Sequence, residues 1–188
     1  RVFCSWLCPG GGLQDCCSVI VDKKAKGGKL NWIKYFIWIP WVFFIVYAAI
    51  WAGGYNVIDF IYQTDHGVSI SNIYSYIVYY AFVGLITILS LTLGKRAFCH
   101  YVCWMAPFMV LGTKIKNLLN YPSLNLKADK DKCNKCGICN RKCPMSIDVC
   151  GHVKKKDLYD AECILCGECV DGCPKKAIKY SFGTRKRD

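Results

Sequence analysis

Lysine and arginine are missing from the whole stretch between Tyr35 and Gly94, although the chain carries 25 of them elsewhere. That gap decides what the formal charge of +12 means. A basic surface would suit nucleic acid or an anionic membrane surface. Cations confined to the flanks of an apolar stretch argue instead for a membrane protein with cytoplasmic lysines, and no nucleic-acid partner is expected. Other motifs are missing too. No C-x-x-C-H occurs, so covalent c-type haem has no support. Gly10-Gly11-Gly12 lacks the Lys-Ser/Thr of a nucleotide loop and reads as a turn after Pro9. No methionine opens the chain and no signal peptide is in view. Arg1 stands at the threshold of a cysteine motif, so the chain reads as a fragment with sequence missing upstream.

Cysteine is what the chain has in excess, with 15 residues. Eight of them form a run given twice, 30 residues apart. The first copy is Cys133-x2-Cys136-x2-Cys139-x3-Cys143-Pro144; the second is Cys163-x2-Cys166-x2-Cys169-x3-Cys173-Pro174. Three thiolates at this spacing wrap one cuboidal iron–sulfur cluster, and the fourth cysteine of each run reaches the other cluster. The expected ligand sets are therefore Cys133, Cys136, Cys139 and Cys173 for cluster one, and Cys163, Cys166, Cys169 and Cys143 for cluster two. Gly137 and Gly167 lie inside the loops, where backbone must approach the cluster. Zinc more usually takes two C-x2-C pairs, and a disulfide scaffold belongs to an oxidising compartment. Residues Lys127 to Tyr180 resemble a bacterial 2[4Fe-4S] ferredoxin closely.

Hydrophobic content of 54% and aromatic content of 14% are too high for a small soluble ferredoxin. Two apolar segments account for them, at about 35–58 and 74–93. Each is long enough to span a hydrocarbon core of roughly 30 Å at about 1.5 Å per residue. Pro40 falls near the expected start of the first, where a helix tolerates proline. Trp32, Trp38, Trp41 and Trp51 read as interfacial belts. Asp59, Asp65 and His66 occupy an outer loop, where His66 reads as a solvated histidine. The cationic flanks put both ends of the chain in the cytoplasm. The alternative, a buried helix of a soluble domain, fits this length poorly.

A second cysteine pattern brackets those segments. Cys4-x3-Cys8-Pro9 precedes the first, and Cys99-x3-Cys103 follows the second, with its proline displaced to Pro107. Cys4 and Cys8 are expected on one helix face, with Pro9 and the glycines ending that helix. A further helix is expected from Leu13 to Val21. If the copies meet, Cys4, Cys8, Cys99 and Cys103 offer four sulfurs at one membrane face. Such a site suits a further iron–sulfur centre, a soft metal such as Cu(I) or zinc, or a cycling dithiol. The plainer alternative is four buried small side chains. His100, inside the second copy, reads as a ligand or a hydrogen-bond donor to sulfur. Cys16, Cys17 and Cys150 read as structural, with Cys150 a redox candidate beside cluster two. Residues 108–119 read as an amphipathic surface stretch, and Pro122 to Asp131 as a linker. The lysines at 154–156 read as a solvated face or a docking face for an acidic partner.

The predicted fold is a mainly α membrane protein with two visible transmembrane helices, 1–126, and a C-terminal α+β 2[4Fe-4S] ferredoxin-like domain, 127–188. The order C-x3-C-P, helix, short loop, helix, C-x3-C and two-cluster ferredoxin resembles the NapH-type membrane ferredoxins. NosR-type and CcoG-type proteins are relatives of that type. The usual layout has four helices, so the resemblance implies two more upstream. It also implies electron transfer between quinol, or a membrane redox partner, and another redox protein at the cytoplasmic membrane. The alternative implied by the CcoG-type likeness is a redox or copper-handling assembly factor for a respiratory metalloenzyme.

Overall fold

The computed structural model describes residues 1–54, 72–155 and 158–184. The outer-loop residues Asp59, Asp65 and His66, and the last part of the first expected span, lie outside the described residues.

Two short helices open the chain, α1 (Val2–Trp6) and α2 (Pro9–Ile20). Here the expectation for the glycines is corrected. Pro9 begins α2 rather than ending a helix, and Gly10, Gly11 and Gly12 are helical. Proline suits a first helical position because that N–H has no partner anyway. The glycines serve packing. A Cβ on Gly11 would stand 2.7 Å from the Cys4 carbonyl oxygen, so only glycine lets α2 close on α1.

A 3₁₀ turn, Gly28–Trp32, leads into α3 (Ile33–Trp51), and α4 spans Ile73–Leu93. With its 3₁₀ lead-in, the first apolar span begins earlier than expected, so Pro40 sits inside α3 and not in its first turn. Both spans, Leu30–Trp51 and Ile73–Leu93, are long and apolar enough to cross a membrane. Only 6% of either is buried against the rest of the chain, so neither is the core helix of this fold. Phe43, Phe44, Ile50 and Tyr74 all point outward. The base of α4 packs on α2, where Gly10 meets Ile86. It ends at Gly94 with φ +108°, where any Cβ would collide with the Lys23 carbonyl.

The next two helices are α5 (Ala97–Tyr101) and α6 (Met105–Leu118). The latter packs against the first turns of α3 through Phe108, whose ring is 5.1 Å from Trp38 and 6.1 Å from Trp41.

The expected linker is in fact strand β1 (Ser123–Ala128). It runs antiparallel to β2 (Ile178–Gly183), with Leu126 opposite Tyr180, so the residue 126/127 boundary falls within a strand. Side chains of Leu126 and Ala128 reach the core, which explains why a polar-looking segment pairs. Between the strands lie α7 (Ile138–Lys142), α8 (Val149–Lys154) and α9 (Glu168–Asp171). Their shared core is built from Met145, Val149, Val153, Ile164 and Ile178 with Cys143 and Cys169. The backbone repeats with the cysteines: Lys135 and Leu165, Gly137 and Gly167, Ser146 and Lys176 all have φ between +48° and +91°.

Candidate metal centres

The eight ferredoxin-type cysteines line two separate cavities. Cys133, Cys136, Cys139 and Cys173 line one, together with Cys150. Cys163, Cys166, Cys169 and Cys143 line the other, with Met145, Val149 and Ile164 as apolar walls. The fourth cysteine of each run thus faces the cavity of the other run. Cys150 belongs beside the first set, not the second as its position in the chain suggested. Burial of Val149 and Val153 turns α8 inward and brings Cys150 with it.

Left-handed residues inside a loop turn successive N–H groups toward one point, a concavity suited to anionic sulfur. Leu165 N–H donates to the Cys163 sulfur, and Glu168 N–H to Cys166. Met145 and Ile147 N–H donate to Cys143, and Ala177 N–H reaches Cys173 Sγ at 3.3 Å. Burial pushes the Cys163 thiol up to about 11. Burial, then the neighbouring cysteines, push Cys169 up to about 12. Protonated thiols are the cost of a dry cavity that only a bound cation relieves. Four sulfurs, inward N–H groups and apolar walls make a donor set that fits an iron–sulfur cluster in each cavity.

The second cysteine pattern also converges. Cys103 and Cys8 both act electrostatically on Cys99, and Cys4 and Cys8 act on Cys103. Burial, then Cys103, pushes Cys99 up to about 12. Among the described residues no three Cys, His, Asp or Glu side chains close on a point tightly enough to grip a single ion.

Residues that the cysteine spacing did not reveal hold this second group in place. Gln14 is fully buried; its Nε2 donates to Cys99 Sγ at 3.2 Å and its Oε1 accepts from Phe98 N–H at 3.1 Å. Arg96, 1% exposed, pairs with Asp15 through Nε at 2.8 Å and donates from Nη1 to the Cys4 carbonyl at 2.8 Å. Its guanidinium feels both Cys99 and Cys166, so it stands between the two sulfur groups. The nearest signal in sequence was a single glutamine in a short helix and an arginine two residues after a glycine stop. His100, by contrast, is not engaged with sulfur. Its Nδ1 faces Asn31 Oδ1 at 3.1 Å, and burial holds it below the ordinary histidine range.

Contacts also cross from α1 and α3 to the Cys163 loop. Ser5 Oγ donates to the Ile164 carbonyl at 3.0 Å. Lys34 and Arg1 both pair with Glu162, at 2.6 and 3.1 Å.

Two family descriptions match these halves. The 4Fe-4S dicluster domain matches residues 132–178, and a 4Fe-4S binding domain matches 1–27 and 77–122. The chain is 30% identical to the uncharacterized protein MJ0750 of Methanocaldococcus jannaschii, over all of this chain and 74% of that one. It is 24% identical to the putative electron transport protein YccM of Escherichia coli, over 99% of this chain and 52% of YccM. It is 22% identical to the ferredoxin-type protein NapH of Haemophilus influenzae, over 96% of this chain and 62% of NapH.

The chain belongs to the NapH-like family of ferredoxin-type iron–sulfur proteins.

It spans between about half and three quarters of the length of these relatives. No solved structure matches it. In this NapH-like chain the segments matched by the 4Fe-4S binding domain are the ones that carry Cys4, Cys8, Cys99 and Cys103.

Proposed function

We propose that this chain is a membrane-anchored iron–sulfur electron carrier. It passes electrons between quinol, or a membrane redox partner, and another redox protein. The observation that carries this reading is the crossed lining of the two cysteine cavities beside the base of two outward-facing apolar helices. Residues 1–126 form the anchoring part and 127–188 the ferredoxin-like part. The helices cross the cytoplasmic membrane, with the ferredoxin part on the lysine-rich, cytoplasmic side.

Two four-iron clusters are held by the eight ferredoxin-type cysteines, and Cys4, Cys8, Cys99 and Cys103 hold a further centre. When bound, these groups supply one-electron chemistry. The chain's own residues exclude water from the cavities, aim N–H groups at sulfur, and set the order of the sites. Cys4 packs against the core that holds Cys143 and Cys169, which supports an order running from the C-x3-C group through cluster two to cluster one. Names of relatives point the same way, YccM to electron transport and NapH to a ferredoxin type.

Iron and acid-labile sulfide per chain, with low-temperature EPR on anaerobic material, test this. About eight irons mean two clusters and about twelve mean three. Iron-free protein, or a C-terminal tag found on the outer surface of cells, overturns the reading.

A further inference from the structure

Five cysteines, not four, line the first cavity. Cys133, Cys136, Cys139 and Cys173 are the set that a four-iron cluster takes. Cys150 is the fifth, 9% exposed and facing the same space. The other cavity has its own four cysteines and no fifth among the described residues.

Several residues fix where this extra sulfur sits. The Cys150 backbone N–H donates to Asn140 Oδ1 at 2.7 Å, and Asn140 directly follows Cys139 in the loop. Asn140 Nδ2 in turn donates to Asp148 Oδ1 at 2.6 Å. Asp148 caps α8 by accepting from Gly151 N–H at 3.1 Å. Val149 and Val153 are buried on the inner side. Helix α8 is thus pinned to the cysteine loop at one end and to the core along one face. The Cys150 thiol is within hydrogen-bonding reach of Cys133 and acts electrostatically on Cys139.

The second copy lacks this arrangement. Thirty residues on, Val170 stands in place of Asn140, Ile178 in place of Asp148 and Tyr180 in place of Cys150. Tyr180 is 42% exposed, and its hydroxyl lies over Gly167, where any Cβ would collide with it. It does not line the second cavity. The thiol and the residues that hold it are replaced together, so the arrangement is a feature of the first site and not a by-product of the repeat.

A thiol with an ordinary value of about 8.5 is protonated at neutral pH, so Cys150 is a donor. A ligand sulfur carries more negative charge after reduction than before. An S–H aimed at it therefore favours the reduced state and raises the midpoint potential.

We propose that Cys150 is a positioning residue for electron flow: its S–H donates to the Cys133 sulfur and raises the potential of cluster one, with no equivalent at cluster two. The inference rests on the electron-carrier reading above and gives that carrier a direction. Electrons settle at the far end of the order that runs from the C-x3-C group through cluster two to cluster one. One electron arrives, no bond to sulfur forms or breaks, and the proton stays on Cys150.

The test uses the full chain, cluster-loaded and detergent-solubilised under argon, in a potentiometric titration read by EPR. The signal missing from Cys133→Ser identifies cluster one. Cys150→Ala should lower the midpoint of that signal alone, by about 60 mV, which is tenfold for one electron. Cys150→Ser keeps a donor of similar shape and should stay within about threefold of wild type. Infrared difference spectra between wild type and Cys150→Ser should show one S–H stretch at the lowered frequency of a hydrogen-bonded thiol, an arm that needs no alanine variant. Unchanged midpoints in Cys150→Ala, or a stretch at the free-thiol frequency, would overturn the inference and leave the carrier role standing. So would alanine and serine variants that shift alike, or that both lose cluster one, which would make Cys150 a ligand. Wild type that takes up no cluster at all overturns the carrier reading, and this inference with it.

Discussion

Lys34 Nζ lies 2.6 Å from Glu162 Oε1, and the lysine side chain is completely buried. One residue opens the first apolar helix; the other precedes Cys163. Arg1 holds the second oxygen of the same carboxylate at 3.1 Å. This three-way contact ties the base of α3 to the Cys163 loop.

Cutting that tie should be costly. Glu162→Gln leaves two buried cations without a counter-charge, and loss of about 3–5 kcal/mol is expected. Lys34→Met should cost less, because Arg1 still pairs with Glu162. Burial alone would raise the Glu162 carboxyl, but Arg1 and Lys34 outweigh it and hold the group below its ordinary value. A depressed carboxylate contributes stability above its unfolded value of about 4.3, lost as pH falls through the folded value. Protease resistance of the junction should therefore fall in wild type between neutral pH and about pH 3, well below the ordinary carboxylate value. It should change little in Glu162→Gln. Equal pH sensitivity in the two would remove the assignment.

The crossed cavities make a prediction about which cluster each proline-flanked cysteine serves. Cys143→Ser should lose the centre shared with Cys163, Cys166 and Cys169. Cys173→Ser should lose the centre shared with Cys133, Cys136 and Cys139. EPR of each variant, set against Cys163→Ser and Cys133→Ser, reads this directly: Cys143→Ser must match the former and Cys173→Ser the latter.

Arg96 is a buried cation between two sulfur groups, and reduction of a centre held by either would add negative charge beside it. Arg96→Gln should lower the midpoint potentials of the centres next to it. A shift of about 60 mV corresponds to tenfold for one electron. Asp15→Asn, which keeps the arginine, should move them the other way, by less because Asp15 is partly exposed. A potentiometric titration followed by EPR checks both signs.

Thiol burial sets the pH dependence of loading. Cys163 at about 11 and Cys99 and Cys169 at about 12 are protonated in metal-free protein at neutral pH. Each ligand must lose its proton on binding, so cluster assembly should release protons and proceed further at pH 8.5 than at pH 7. The same raised values mean that the metal-free fold is favoured below the ordinary thiol range, near 8.5, and loses stability as pH climbs toward 12. Indicator-dye proton release during reconstitution is the measurement. Assembly that takes up iron without releasing protons would contradict the burial argument.

Gly11→Ala should loosen α2 from α1, because the added methyl meets the Cys4 carbonyl, which is backbone and cannot swing away. Overpacking of this kind costs about 1–3 kcal/mol. Thermal denaturation and iron retention should both suffer, whereas Gly12→Ala, with open space around its Cβ, should be near neutral.

Spacing along the chain was enough for the repeated cysteine runs and the two apolar spans, because ligand loops and helix lengths are local properties. It also carried the pairing of each fourth cysteine with the opposite loop, a consequence of two copies folding back on each other. Local rules misjudged residues 9–12 and 122–128. Glycine after proline looks like a turn until a neighbouring helix needs the space, and a polar strand looks like a linker until its partner, more than fifty residues away, arrives. Gln14 beside Cys99, Arg96 between two sulfur groups and Lys34 against Glu162 join residues 81 to 128 positions apart. No periodicity encodes such pairs. They exist because a buried polar group must find a partner wherever the packed chain brings one. Only the folded arrangement decided which.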